Sequence, residues 1–204
     1  MPGFRLAQDV LPRLVEAARA AAPLAQGRRV IGLDGRSGTG KTTLADRLGI
    51  ALDSPVIHLD DLYPGWDGLE AGVDRLLDGV LGPLAAGAGT VTEYRWDWTA
   101  DRDGEPLTRP AADLTVVEGV GCGARRCAPY LSLLVWLEAP QAQRRARALA
   151  RDGDLFAPHW DRWAAQERAH TARERTRRRA DLVLAAGSAA VVGETQVNPA
   201  DPAR

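Results

Sequence analysis

Apolar residues along the chain follow two rhythms. Short continuous runs occur at Val30-Ile31-Gly32-Leu33, Pro55-Val56-Ile57-His58-Leu59, Leu114-Thr115-Val116-Val117, Leu131 to Leu137, and Leu182-Val183-Leu184. Unbroken runs of this length suit strands buried on both faces, as in a parallel sheet. Between them, apolar positions recur at helical spacing over about Leu6 to Ala22, Thr43 to Leu48 and Leu69 to Ala86. Two further helices are predicted from Pro140 to about Arg151 and from Pro158 to about Arg179, each opened by a proline and separated by Asp152-Gly153-Asp154. Strands alternating with helices predict an α/β fold of parallel strands joined by helical crossovers. Thr90 to Trp98 alternates instead, so an extended segment there sets Tyr94, Trp96 and Trp98 on one side and Arg95 and Asp97 on the other. Asp101 to Glu105 reads as a turn. Beyond Gly187 the chain is small, polar and proline-containing, which divides it into a single domain over 1–187 and a flexible tail over 188–204.

Composition narrows the function classes. A chain of 204 residues with 45% hydrophobic content can bury an ordinary core. A net charge of −1 provides no global attraction for nucleic acid or an anionic membrane, so neither is expected as a partner. No leader-like stretch and no run of about 20 apolar residues is present, and the expected location is the cytoplasm. Cys122 and Cys127 have no matching pair or histidine cluster and read as free thiols. Self-association into a homo-oligomer is left open.

The chemistry concentrates around the only lysine, Lys41, while every other basic residue is arginine. Lys41 sits in Gly35-Arg36-Ser37-Gly38-Thr39-Gly40-Lys41-Thr42, a full match to the phosphate-binding loop, with an apolar run before it and a helical pattern from Thr43 onward. Glycines let the backbone wrap a phosphate chain, and the helix that follows points its positive end at the same anion. Lysine suits this cradle as a compact charge on a flexible stem, where a planar guanidinium does not fit. Gly35, Ser37, Gly38, Thr39, Gly40, Lys41, Thr42 and Thr43 are the nucleotide-binding candidates, and the Thr42 hydroxyl is a ligand for Mg²⁺.

Other candidates lie at predicted strand ends, where open α/β sheets gather ligands. Asp60 follows the strand after the phosphate loop and is the candidate base for an acceptor hydroxyl. Glu118 follows Leu114 to Val117 and is placed to share Mg²⁺ with Thr42. Arg144, Arg147 and Arg151 share one helix face and predict a lid over about 144–160, with Arg147 and Arg151 neutralising transferring phosphate charge. The alternative for that face is solvated surface, and for the arginines from 173 to 179 it is the preferred reading. Tyr63, Trp66, Trp96 and Asp97 are acceptor-pocket candidates. Trp160, Trp163, Glu167 and His170 form a stripe best read as packing.

The order Gly35 to Thr42, then Asp60-Asp61-Leu62-Tyr63, then Val116-Val117-Glu118-Gly119 resembles the uridine kinase and phosphoribulokinase group of P-loop kinases, over roughly residues 28 to 185. That resemblance implies a three-layer P-loop NTPase fold with a five-stranded parallel sheet, ATP and Mg²⁺ as cofactors, Asp60 as base, Glu118 near the metal and an arginine-bearing lid. Trp96-Asp97-Trp98 resembles the segment lining the nucleoside pocket in uridine kinases. Asp101, Arg102 and the lid sequence depart from that group's pattern. The expected function is an ATP-dependent kinase acting on a small-molecule hydroxyl, with a nucleoside as one acceptor. The alternatives are a nucleoside monophosphate kinase and a nucleotide-binding regulator without efficient transfer.

Overall fold

A computed structural model describes residues 10–185 and 191–194 of the chain. The strands of its central sheet are β1 (Arg29–Asp34), β2 (Val56–His58), β7 (Leu114–Glu118), β8 (Leu133–Glu138), β9 (Leu182–Ala185) and β10 (Val191–Glu194). Their order across the sheet is β2-β7-β1-β8-β9-β10. The first five run parallel, as expected from the apolar runs, and β10 adds an antiparallel edge to β9. A strand at Val191–Glu194 departs from the expectation of a tail beginning at residue 188. Val191 pairs with Leu184 and Glu194 with Leu182. The rest of that predicted tail, and the start of the predicted leading helix, lie outside the described residues.

Side chains of β1 alternate between two cores. Ile31 and Leu33 pack with Leu44 and Leu48 of α2 (Lys41–Leu52) and Leu14 of α1 (Val10–Ala20), while Val30 joins Ile57, Val73, Leu76 and Trp163 on the opposite face. Each fully buried aliphatic chain contributes about 1.5–3 kcal/mol, so helices on both faces hold the sheet by apolar burial. The sheet therefore brings the carboxyl ends of β1, β2, β7 and β8 to one edge.

Some helices differ from the sequence pattern. The predicted Leu69–Ala86 helix is α3 (Leu69–Leu76), a π-helical segment over Leu77–Leu81 and α4 (Gly82–Ala85). Gly79 in that segment lies so close to β3 (Thr90–Glu93) that an added Cβ would stand 2.1 Å from the Thr92 carbonyl oxygen. The segment after β3 folds into two small ribbons, β3 with β6 (Leu107–Pro110) and β4 (Trp96–Asp97) with β5 (Arg102–Asp103). α5 (Gln141–Phe156) runs past the predicted stop, although Gly153 interrupts it with φ 52° and ψ −131°. α6 (Trp160–Glu174) ends earlier than predicted, at the left-handed Arg175, and α7 (Thr176–Arg179) follows.

Candidate functional site

The loop from Gly35 to Gly40 joins β1 to α2, as its motif requires. Gly38 has φ 78°, and a Cβ there would stand 2.1 Å from the Arg144 carbonyl oxygen, so conformation and space both demand glycine. Gly35 and Gly40 also have positive φ, at 147° and 94°. The loop closes on itself through Thr39, whose hydroxyl donates to the Arg36 carbonyl at 2.9 Å. Lys41 is buried at the start of α2, with Nζ 3.4 Å from the same carbonyl. Thr42 and Thr43 occupy the first turn, Thr43 exposed.

Two buried acids brace this loop: Asp34, to which the sequence gives no role, and Glu167, which it places in a packing stripe. The Asp34 carboxylate accepts N–H groups of Gly35 at 2.6 Å and of Gly121 and Gly123 at 3.0 Å, tying the end of β1 to the segment after β7. Burial raises its pKa, opposed by those three backbone donors. Glu167 Oε1 accepts the Ser37 N–H at 2.7 Å and Trp163 Nε1–H at 3.1 Å. Trp163 Nε1 also lies 3.0 Å from Ser37 Oγ, and Arg144 donates to the Ser37 carbonyl at 3.1 Å. All three polar groups of Ser37 are thus held by α5 and α6.

That arrangement separates the arginines predicted to share a lid. Arg144 is buried against the phosphate loop, with Glu167 at 3.8 Å. Arg147 contacts Gln143 at 3.5 Å one turn away. Arg151 reaches the site, with Nη2 3.6 Å from Asp60 Oδ2.

Glu118 lies buried at the end of β7. Its Oε1 accepts the Thr42 hydroxyl at 3.0 Å and His58 Nδ1–H at 2.8 Å. Burial opposes its charge, but the His58 hydrogen bond and the nearby Lys41 ammonium hold its pKa below the usual value. The reciprocal hydrogen bond raises the His58 pKa. A hydroxyl and a carboxylate are hard oxygen donors and fit Mg²⁺, which commonly takes only one or two protein ligands beside phosphate oxygens and water. Among the described residues no cluster of three or more acids, histidines or cysteines forms a self-sufficient metal site.

Asp60 occupies a turn after β2, its carbonyl held by Trp98 Nε1 at 2.8 Å and its side chain half exposed. It opens into a cavity of about 260 Å³ that also contains Ser37, Asp61 and Arg151 beside rings of Tyr63, Trp66, Trp98, Phe156 and Trp163. Trp66 stacks with Phe156 at 5.3 Å and with His159 at 4.5 Å, and tilts against Trp98 at 4.7 Å. Tyr63 faces the cavity with its ring, because its hydroxyl is buried and donates to the Val120 carbonyl at 2.8 Å. Burial raises the Tyr63 pKa well above its usual value. Trp96 and Asp97 do not line this cavity. Asp97 Oδ1 accepts the N–H groups of Thr99 and Ala100, both at 3.0 Å, and closes the turn into β5. Trp98, two positions from Trp96 on the alternating segment, supplies the ring instead.

No protein-family model and no curated protein sequence matches the chain. Its fold is shared with solved structures. A protein from Bacillus stearothermophilus described as a possible uridine kinase is 24% identical, with a TM-score of 0.62, covering 85% of this chain and 96% of that one. A protein from Silicibacter sp. TM1040, described as a fructose transport system kinase, is 20% identical, with a TM-score of 0.53, covering 83% and 94%. Five parallel strands flanked by helices form the α/β architecture that the chain shares with these two structures. Among the described residues no helix is long and apolar enough to cross a membrane.

Proposed function

We propose that this protein is an ATP-dependent kinase that transfers the γ-phosphoryl group to the hydroxyl of a small, uncharged acceptor with a flat apolar body, a nucleoside being one such molecule. The observation that carries this reading is the position of Asp60, at the mouth of an aromatic-walled cavity that also contains Ser37 of the phosphate loop. Acceptor hydroxyl, base and transferring phosphate would meet there.

Glycine-permitted N–H groups and Lys41 would bind the phosphate chain, aided by the start of α2. Thr42 and Glu118 would hold Mg²⁺, which when bound offsets charge on the phosphate oxygens. Asp60 would accept the acceptor's proton, and Arg151, 3.6 Å from it, would face the negative charge of transfer. Aromatic walls would orient the acceptor and exclude water.

A nucleoside monophosphate acceptor brings two further negative charges and calls for paired arginines. Among the described residues Arg151 is the one arginine lining the cavity and stands against Asp60, while Arg95 is engaged by Asp61 at 2.7 Å. These pairings favour an uncharged acceptor.

The direct test is ADP release from ATP and Mg²⁺ across nucleosides, nucleoside monophosphates, pantothenate and sugar phosphates. Turnover on an uncharged hydroxyl acceptor is expected, falling by about 10²–10⁴ in Asp60→Asn. Turnover confined to monophosphates would move the assignment to a monophosphate kinase. Nucleotide binding without transfer to any acceptor would favour a regulator.

A further inference from the structure

His58 had no role in the sequence reading beyond belonging to a strand. Parallel pairing of β2 with β7 sets His58 beside Glu118, and their side chains meet at 2.8 Å between Nδ1 and Oε1. Thr42 and Asp46 lie four positions apart on α2, so both face this strand pair from one side of the helix. The result is a closed ring of contacts. Thr42 donates to Glu118 at 3.0 Å, Glu118 accepts from His58, and His58 Nε2 stands 3.5 Å from Asp46 Oδ1.

Glu118 Oε1 is therefore engaged twice, which fixes the plane of the carboxylate and the direction of Oε2. A hydroxyl that offers a lone pair to a cation must send its proton elsewhere, and Glu118 Oε1 receives the Thr42 proton here. We infer that His58 is a positioning residue for magnesium-dependent nucleotide binding, holding Glu118 so that Thr42 and Glu118 act together on the hydrated cation. Partners of this kind behind metal-binding side chains commonly change metal affinity by 10–100-fold when removed. The inference rests on the nucleotide and magnesium reading given above, but needs neither a known acceptor nor turnover. Its alternative is a purely structural contact that stitches β2 to β7.

Calorimetric titration of the full chain with ADP, once with Mg²⁺ and once with EDTA, separates the two. The ratio of the affinities is the gain from magnesium. His58→Ala should lower that gain about tenfold while leaving ADP affinity in EDTA within about twofold of wild type. His58→Asn, whose side-chain amide can donate near the position of Nδ1, should recover much of the loss. Thermal melts of both variants establish that they fold. An unchanged gain in folded His58→Ala overturns the inference, as does an equal loss with and without magnesium or a failure of His58→Asn to improve on alanine. If wild-type protein itself shows no gain from magnesium, the nucleotide–magnesium reading fails and the inference falls with it.

Discussion

Glu70 on α3 joins two packed helices through one carboxylate. His170 Nδ1 lies 2.6 Å from it, Arg126 donates at 3.0 Å, and Arg173 completes the group. Burial opposes the Glu70 charge, yet hydrogen bonds from His170, Arg173 and Arg126 prevail and lower its pKa to about 2. A carboxyl group whose folded pKa is depressed stabilises the fold above its unfolded value of 4.5 and loses that contribution as pH falls toward 2. Glu70→Gln should therefore melt below wild type by a few degrees at pH 7, with the gap narrowing between pH 4.5 and 2 in a series of thermal scans. A gap that stays constant with pH would assign the loss to packing instead. Residues differ sharply in how visible they are in the sequence. Lys41 and Thr42 belong to a contiguous motif, and Glu118 ends an apolar run, so local pattern singles them out. His58, Asp34 and Glu167 act across sequence separations of 60, 87 and 130 residues; nothing local marks His58 or Asp34, and helical spacing marks Glu167 only as part of a packing stripe.

Among elements, the phosphate loop and α5 approach closely at Gly38. Gly38→Ala would drive a methyl group into the Arg144 carbonyl at 2.1 Å while forcing alanine to φ 78°, so loop and helix must separate. Nucleotide affinity should fall by more than about tenfold, since each 1.4 kcal/mol of such strain is worth that factor. Gly89→Ala, where an added Cβ meets nothing within 4 Å and φ is not positive, should bind nucleotide as wild type does, both variants being measured by fluorescence titration. Equal affinities for the two variants would show that this close approach is not needed. Strand positions and the α/β alternation are legible because β1, β2, β7, β8 and β9 each carry a run of mainly apolar residues, with charged residues only at their ends. Helix boundaries are less so. Arg175 ends α6 in a left-handed turn with no glycine or proline to announce it, and the π-helical segment before α4 lies against β3 at Gly79, an approach between elements that local spacing does not show. β10 is not marked in the sequence because its apolar run is only the dipeptide Val191-Val192.

For the molecule as a whole, the site draws on sequence-distant parts of the described chain: β1 and α2 from its first third, α5 and α6 from its last third. A ligand bound there contacts elements that unfolding would scatter, so binding should stabilise the entire domain. With MgADP at 100 times its dissociation constant the gain is about 2.7 kcal/mol, or roughly 5–10 °C in melting temperature for a chain of this size. Differential scanning fluorimetry with MgADP, and with Mg²⁺ alone as control, measures it. No shift at saturating ligand would mean that the loop does not bind nucleotide. The solitary lysine has a different consequence. Its ε-amine is the protein's only side-chain amine and lies buried at the start of α2, while arginine supplies every other basic side chain. Reagents that acylate amines thus have one internal target, and a nucleotide seated on the loop would shield it, so the chain carries its own single-copy chemical tag for occupancy of the site.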